Sequence, residues 1–431
     1  MLAGLFAFVL FFAASKLALD RDVRAAASHV AAAFRSGELV LDPYQEGSTT
    51  IGSHQWNDCL ITAMAIDQRG DRTRLALSPI IAGFPDLAHD ADPCAVLDHL
   101  VSGARPDAEL YYYDRYVHGA TVLLRYLLPH FRVGQVRAIY RFAITSVLVA
   151  GFALALVGIA RDRRVAAHTV LAVVFLALTR FFGLESFSQS LGHGPADLVA
   201  ALYALTLAFM LFDPVRPVFV ILAAALFGAF TLVFELFTGG IPLGLAMVIG
   251  LAALGARTGG QASEYRLAAC AAGAYIGAAA VTYAFKVGAT VYLAGSGVVA
   301  DIAAQLIHYS PAADEGTGFV AAAASICRSI GVLAGGMTLL AAAAVLGGVA
   351  AGFYGLRQIF RRNEGPALRQ RAVLLACSVL PIPLWFLAFP NQVAIHAWFI
   401  DRVVVWVVAA GFALFSLAIA TRHRAEPVGG S

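Results

Sequence analysis

The feature that most constrains this chain is where its charge is missing and where it collects. One apolar stretch, Leu2 to Leu19, is followed by a polar segment running to about Arg141, and almost everything beyond is hydrophobic runs broken by short charged turns. Many of these runs reach the roughly 17–25 residues a helix needs to cross a hydrocarbon core of about 30 Å. Of the 431 residues 60% are hydrophobic and only 13% charged, where soluble domains carry about 25% charged. A spanning segment must satisfy its own backbone hydrogen bonds, so helices are the default. The alternating strands of a membrane β-barrel are not seen. The pattern predicts an all-α polytopic membrane protein with membrane lipids around it. A net charge of +3 without a basic run gives no reason to expect nucleic acid.

Ten transmembrane helices are predicted, near residues 2–19, 142–160, 165–182, 196–213, 217–235, 240–256, 267–287, 330–352, 371–389 and 403–420. The breaks after alternate spans carry Arg161, Arg163 and Arg164; Arg216; Arg257 and Arg266; Arg357, Arg361, Arg362, Arg369 and Arg371; and Arg422 with Arg424. The positive-inside rule makes those turns cytoplasmic and puts both termini there. The chain then divides into a first transmembrane helix (1–19), an external loop (20–141) and a transmembrane bundle (142–431). Further external loops are expected at 183–195, 236–239, 288–329 and 390–402. Ala13-Ala14-Ser15 would serve as a signal-peptide cleavage site, but the stretch lacks a basic start and its removal would leave an odd number of spans, so it is read as a helix.

Cys59 and Cys94 are the two cysteines of the external loop, and either bridge or stand as free thiols. A bridge would fit an oxidising compartment. Val23 to Phe34 and Trp56 to Ile66 read as amphipathic helices, which tend to lie along the membrane interface. Asn57 and Asp58 sit at the start of the second. They would cap that helix or hold a carboxylate at the lipid–water boundary, where it can accept a proton from a substrate hydroxyl. Farther on, Tyr111-Tyr112-Tyr113-Asp114-Arg115-Tyr116-Val117-His118-Gly119 precedes an apolar run. If helical, Tyr111, Arg115, His118 and Arg125 share about a third of its circumference. Tyr stacked on a sugar and Arg or His donating to phosphate oxygens would make a binding surface; the bland reading is an aromatic belt with snorkelling Arg.

The other outward ends gather ionisable groups: Glu185 and His193, Glu235, Lys286 (one of two lysines), Asp301, His308 and Arg328, then His396, Asp401 and Arg402. Charges at membrane depth cost several kcal/mol unless paired or wetted, so they default to functional candidates. A divalent metal would need Glu185, Glu235, Asp58 and His396 to converge, and no HExxH or CxxC spacing supports one. No phosphate-binding glycine loop and no GxSxG occur in a suitable context, and the cytoplasmic turns are too short for a nucleotide-binding domain.

This layout resembles the GT-C superfamily of integral-membrane glycosyltransferases: a first span, a long external loop with interfacial helices and an early acidic residue, then a run of spans. The resemblance is carried by Gln55-Trp56-Asn57-Asp58-Cys59, by Arg115-Tyr116-Val117-His118-Gly119 late in the loop, and by the external stretch Pro390 to Arg402 with His396. Some pilin-modifying arabinosyltransferases are similar in size and layout. Where many members pair two acids, Asn57 precedes Asp58 here, which makes Asp114 the next candidate. The resemblance implies a protein of the bacterial inner membrane and cell envelope. It implies a polyprenyl-phosphate-linked sugar donor and a glycan, lipid or protein acceptor. Transfer would be inverting, with Asp58 as general base and Asp114 as alternate. Asn57, Tyr113, Arg115, His118, Glu185, His193, Glu235 and His396 would line the substrate, while Lys286, Arg328 or Arg402 would neutralise the leaving phosphate. The rival readings are a membrane transporter or lipid flippase, for which Gly239-Gly240, Pro242, Pro381 and Pro383 would break helices, and a non-catalytic membrane subunit.

Overall fold

Three helices of the polar segment begin where an Asp side chain caps them. In the computed structural model the first run forms α1 (Leu2–Ala18), and Asp22 starts the next helix by accepting from the Ala25 amide at 3.0 Å. That cap opens α2 (Val23–Ser36), bent by 87° from α1. Gly37 closes α2 at φ 75°, a left-handed conformation that a side chain would strain. The structure describes residues 1–41, 55–83, 92–103, 109–161, 164–179, 190–213, 215–235, 239–256, 264–310, 320, 323–324, 327, 338–362, 365–395 and 400–425.

The polar segment continues as α3 (Gln55–Ile66), α4 (Arg72–Leu77), β1 (Ile80–Gly83), α5 (Pro93–Val101), β2 (Glu109–Tyr112) and α6 (Gly119–Leu127). Both stretches expected to be amphipathic helices are helical; α2 buries one face, whereas α3 is buried on nearly all sides from Asp58 to Ile66. The segment has its own apolar core, in which Val30, Ile61, Leu97, Leu124 and Val136 are buried together. Cys59 and Cys94 are disulfide-bonded and tie α3 to α5.

One expectation is overturned in this segment. Tyr111 to Arg125 do not form a single helix. The tyrosine run pairs as a strand, antiparallel to β1 with Tyr112 opposite Ile80, residues 113–118 connect, and helix begins only at Gly119. Aromatic side chains favour a pleated, half-buried surface, and β1 supplies a partner edge that one sequence window cannot reveal. Tyr111, Arg115, His118 and Arg125 therefore share no helix face.

Beyond α6 the described residues form a helical bundle. Among them six helices are long and apolar enough to cross a membrane: α7 (Val133–Arg161), α9 (Gly194–Phe212), α10 (Pro217–Phe234), α12 (Glu264–Ala294), residues Ala342–Arg361 of α14 (Thr338–Arg361), and Pro366–Ala388, made of α15 (Pro366–Cys377) and α16 (Pro381–Ala388). The bent pair α1 and α2, counted as one span, would make seven. Three further apolar helices are shorter: α8 (Val165–Leu178), α11 (Gly240–Leu251, continued by a 3-10 turn to Leu254) and the Val405–Ala420 part of α18 (Val405–Ala425). At 1.5 Å per residue, a 14-residue helix such as α8 covers only about 21 Å of a core about 30 Å thick. The ten apolar stretches thus resolve into six full-length helices, one bent pair and three shorter ones.

Boundaries shift too. The expected division at residue 141 falls inside α7. Helix α12 runs to Ala294, not 287, and is followed by α13 (Gly297–Tyr309), so much of the stretch read as a 288–329 loop is helix. The short α17 (Pro390–Ile395) lies in the stretch read as the last external loop.

Phe175, Leu207, Met247, Tyr275 and Trp406 share the main core of the bundle. In the break between α15 and α16, the Trp406 indole N–H donates to the Ser378 hydroxyl at 2.9 Å. Helices α14 and α18 approach closely at glycines: a Cβ on Gly411 would lie 2.0 Å from the Gly348 carbonyl oxygen.

Candidate functional site

Four chain segments bring buried polar groups together where the 20–141 segment meets the bundle. Asn57 stands on the first turn of α3, His193 immediately precedes α9, Glu235 follows the last residue of α10, and Gly240 opens α11. His193 and Glu235 are 4% and 5% exposed. The imidazole Nδ1 faces Glu235 Oε2 at 3.4 Å, and its Nε2 lies 3.3 Å from Asn57 Nδ2. Glu235 Oε1 accepts from the Gly240 amide at 2.7 Å. A carboxylate only accepts and an amide nitrogen only donates, so in this hydrogen-bond pattern Nδ1 donates to Glu235 and Nε2 accepts from Asn57. Gly192 leaves room for Asn57, whose Nδ2 would lie 2.2 Å from a Cβ there. A carboxylate-oriented imidazole of this kind can take up a proton from a hydroxyl.

Asp58, one residue along α3, belongs to a different arrangement. Its carboxylate is buried (2% exposed) and accepts from Arg137 Nη2 at 2.8 Å, the Leu191 amide at 2.8 Å and the Ser190 hydroxyl at 3.1 Å. Arg137 also donates to the Glu38 carbonyl at 2.9 Å. Asp58 does not cap its own helix. It joins α3 to the start of α7 and to the approach to α9. Arg137 and Ser190 were not singled out from sequence, because residues 79 and 132 positions from Asp58 share no local pattern with it. The one sequence signal is that Arg137 follows Val133 and Val136 on the buried stripe of α7.

A second polar group forms around residues 113–118. His118 Nε2 bonds the Tyr113 carbonyl at 2.9 Å. Burial first, and then the Lys286 charge, push its pKa down to about 3, so the ring is neutral at ordinary pH. Tyr113 and Tyr116 pack edge to face at 5.3 Å, and Tyr116 meets the Tyr309 hydroxyl at 3.2 Å. Burial raises both phenols well above their usual value. Arg115 forms a two-pronged pair with Asp301 at 2.8 and 2.9 Å and also bonds Gln305, which fastens the 113–118 connection to α13. The Asp114 carboxylate pairs with Arg74 at 2.9 Å, and its carbonyl accepts from the Lys286 ammonium. Lys286 is fully buried and lies two turns inside α12 rather than at a helix end. Arg125 donates to the Met64 and Leu75 carbonyls, and burial lowers its guanidinium to about 10.

The sequence-derived candidates therefore fall into three sets. Asn57, His193 and Glu235 form one chain, and Asp58 stands beside it in its own ion pair. Tyr113, Asp114, Arg115, His118 and Lys286 form another group. Glu185, Arg328 and His396, and the side chains of Asp401 and Arg402, lie outside the described residues. Among the described residues, no group of three His, Cys, Asp or Glu side chains is placed to hold a metal ion. Compared with protein-family models, with curated proteins and with solved structures, the chain has no match.

Proposed function

We propose that this protein is a membrane glycosyltransferase of the GT-C kind, moving a sugar from a polyprenyl-phosphate carrier to an acceptor hydroxyl. The observation that supports this most is the chain from half-buried Asn57 to buried His193 and Glu235, set at the junction of the polar segment and the bundle. In this reading Glu235 orients His193, the acceptor hydroxyl takes the place of Asn57 Nδ2 at His193 Nε2, and Nε2 accepts its proton as the acceptor oxygen bonds to the anomeric carbon. The carbon–oxygen bond to the phosphate breaks with inversion, and polyprenyl phosphate leaves. Asp58, whose oxygens already serve three donors, acts as a cross-link rather than as the base. The transferred sugar would rest on the Tyr113–Tyr116 aromatic group.

The same reading takes all ten apolar stretches as membrane crossings, the shorter helices matched by local thinning of the bilayer or snorkelling of flanking residues. The Arg-rich turns and both termini then lie in the cytoplasm of a bacterial inner membrane, with the polar segment and the site outside. One feature favours the transporter or flippase alternative: the break between α15 and α16 at Ser378–Leu380, since discontinuous helices mark many transport sites.

The test is to incubate the purified protein in nanodiscs with a panel of radiolabelled polyprenyl-phosphate sugars and candidate acceptors. Transfer that disappears in Glu235→Gln supports the reading. Failure with every donor, together with movement of a lipid or solute across proteoliposomes, would put the transporter in its place.

A further inference from the structure

The group around Asp114 carries more positive charge and more hydrogen-bond donors than its own residues satisfy. Ser78, Thr121 and Lys286 are at most 1% exposed, Arg125 is 3% exposed and Asp114 6%. The Ser78 and Thr121 hydroxyls, Arg125 Nε, Arg74 Nε and Asp114 Oδ1 have no partner among the described residues. Buried polar atoms are almost always paired, so a set of orphans in one place calls for an explanation.

These atoms are neighbours through the backbone. The Tyr113 amide bonds the Pro79 carbonyl at 2.8 Å just beyond the β1–β2 ladder, one residue from Ser78 and one from Asp114. Arg74 reaches the Asp114 carboxylate and Lys286 its carbonyl. Thr121 and Arg125 are one turn apart on α6, and Arg125 reaches the Leu75 carbonyl, one turn before Ser78. The nine-residue α6 begins here with no side-chain cap, its first residues Gly119, Ala120 and Thr121 all buried.

The charges do not balance. Arg69 pairs with Asp67 and Arg115 with Asp301. Arg74 and Lys286 are left against one carboxylate, Asp114, an excess of one positive charge, while Arg125, which faces Asp67, is held by the Met64 and Leu75 carbonyls. A buried cation needs a counter-charge, and a phosphate monoester carries about −1.5 to −2. Its oxygens only accept, which suits hydroxyl, guanidinium and ammonium donors and an uncapped helix start.

We infer that the orphaned Ser78 and Thr121 hydroxyls, with Lys286 and Arg74 beside Asp114, form a binding site for a phosphate group at the start of α6. Arg74, with its side chain 29% exposed, forms the solvent side. The inference deepens the transferase reading and rests on it for the physiological source of the phosphate, the lipid monophosphate released by transfer. It also puts the phosphate subsite at α6 and α12 rather than in the 390–402 stretch.

Binding of radiolabelled inorganic phosphate to the full-length protein in nanodiscs tests this directly, with a short-chain polyprenyl monophosphate as competitor. The expected result is saturable phosphate binding, weakened at least tenfold in Lys286→Met and about fivefold in Thr121→Val, a near-isosteric change. Displacement by the lipid monophosphate at lower concentration than by phosphate itself identifies a headgroup site, whereas equal potency identifies a site for free phosphate. If Lys286→Met does not fold, Thr121→Val and Ser78→Ala carry the same test. No saturable binding, or wild-type affinity in folded Thr121→Val and Ser78→Ala, overturns the inference. Phosphate binding by a protein that transfers no sugar would leave this site standing and remove the transferase reading. Sugar transfer by a protein that binds no phosphate would do the opposite.

Discussion

Asp58 and Arg137, 79 residues apart, are joined by a 2.8 Å ion pair that fixes the polar segment to the first turns of α7. The Leu191 amide and Ser190 hydroxyl complete the carboxylate's partners. Removing one member of a buried pair costs about 3–5 kcal/mol. Because the Arg137 side chain is 19% exposed, we expect about 2–3 kcal/mol for Asp58→Asn after allowing for solvent screening. A thermal-unfolding double-mutant cycle with Arg137→Met checks this: the two losses should be strongly non-additive. A wild-type melting curve for Asp58→Asn, with transfer lowered 10²–10⁴-fold, would instead restore Asp58 as the base.

Glu235→Gln keeps an oxygen able to accept from the Gly240 amide, so the start of α11 should hold. What is lost is the negative charge beside His193. Single-turnover transfer should fall about 10²–10⁴-fold with little change in melting temperature. A variant that turns over normally would remove His193 and Glu235 from the chemistry.

His118 makes stability depend on pH. Its folded-state pKa lies at about 3, below the ordinary 6.5, so between those values the unfolded chain binds the proton that the folded chain excludes. The stabilisation is fully present above pH 6.5 and is lost as pH falls toward 3, at up to about 1.4 kcal/mol per unit. Melting curves from pH 7 to 4 should show a shallower decline for His118→Gln than for wild type; equal slopes would contradict the buried neutral ring.

The Cys59–Cys94 bond closes a loop of 35 residues. In the chain-entropy model its loss costs about 3–4 kcal/mol. Cys59→Ala with Cys94→Ala should lower the unfolding midpoint accordingly. Mass spectrometry of the alkylated wild type should show two fewer reactive thiols before reduction than after it.

Gly411→Ala should push α14 and α18 apart, since the added methyl would meet backbone rather than a yielding side chain. Overpacking of this sort costs about 1–3 kcal/mol. Gly273→Ala, where a Cβ meets nothing within 4 Å, is the control and should be neutral in the same detergent melt.

Much of the fold was legible because its signals are local. The apolar runs and the patterns of residues 23–34 and 56–66 each lie within a few turns of chain, and helix forms at each among the described residues, though only six of the apolar helices reach spanning length. The tyrosine run at 111–113 misled because strand formation needs a second edge, and that edge, Ile80–Gly83, is about 30 residues away. Lys286 is expected at a helix end, yet Thr290 is buried one turn later and the helix continues to Ala294. In the candidate site, Asn57, His193 and Glu235 each stood out as polar residues at the edge of an apolar run. Nothing in their spacing could say which of them meet.

By itself, the sequence determined that this chain forms apolar helices with one large polar segment after the first, because hydrophobic periodicity and helix caps act between near neighbours. Only the tertiary structure decided that Asp58 is tied up by Arg137 while Glu235 is aimed at His193, and that Lys286 meets Asp114. Those choices depend on which helix ends arrive together in space. Buried charges settle on whatever partner packing brings within about 3 Å, a distance that spacing along the chain does not encode.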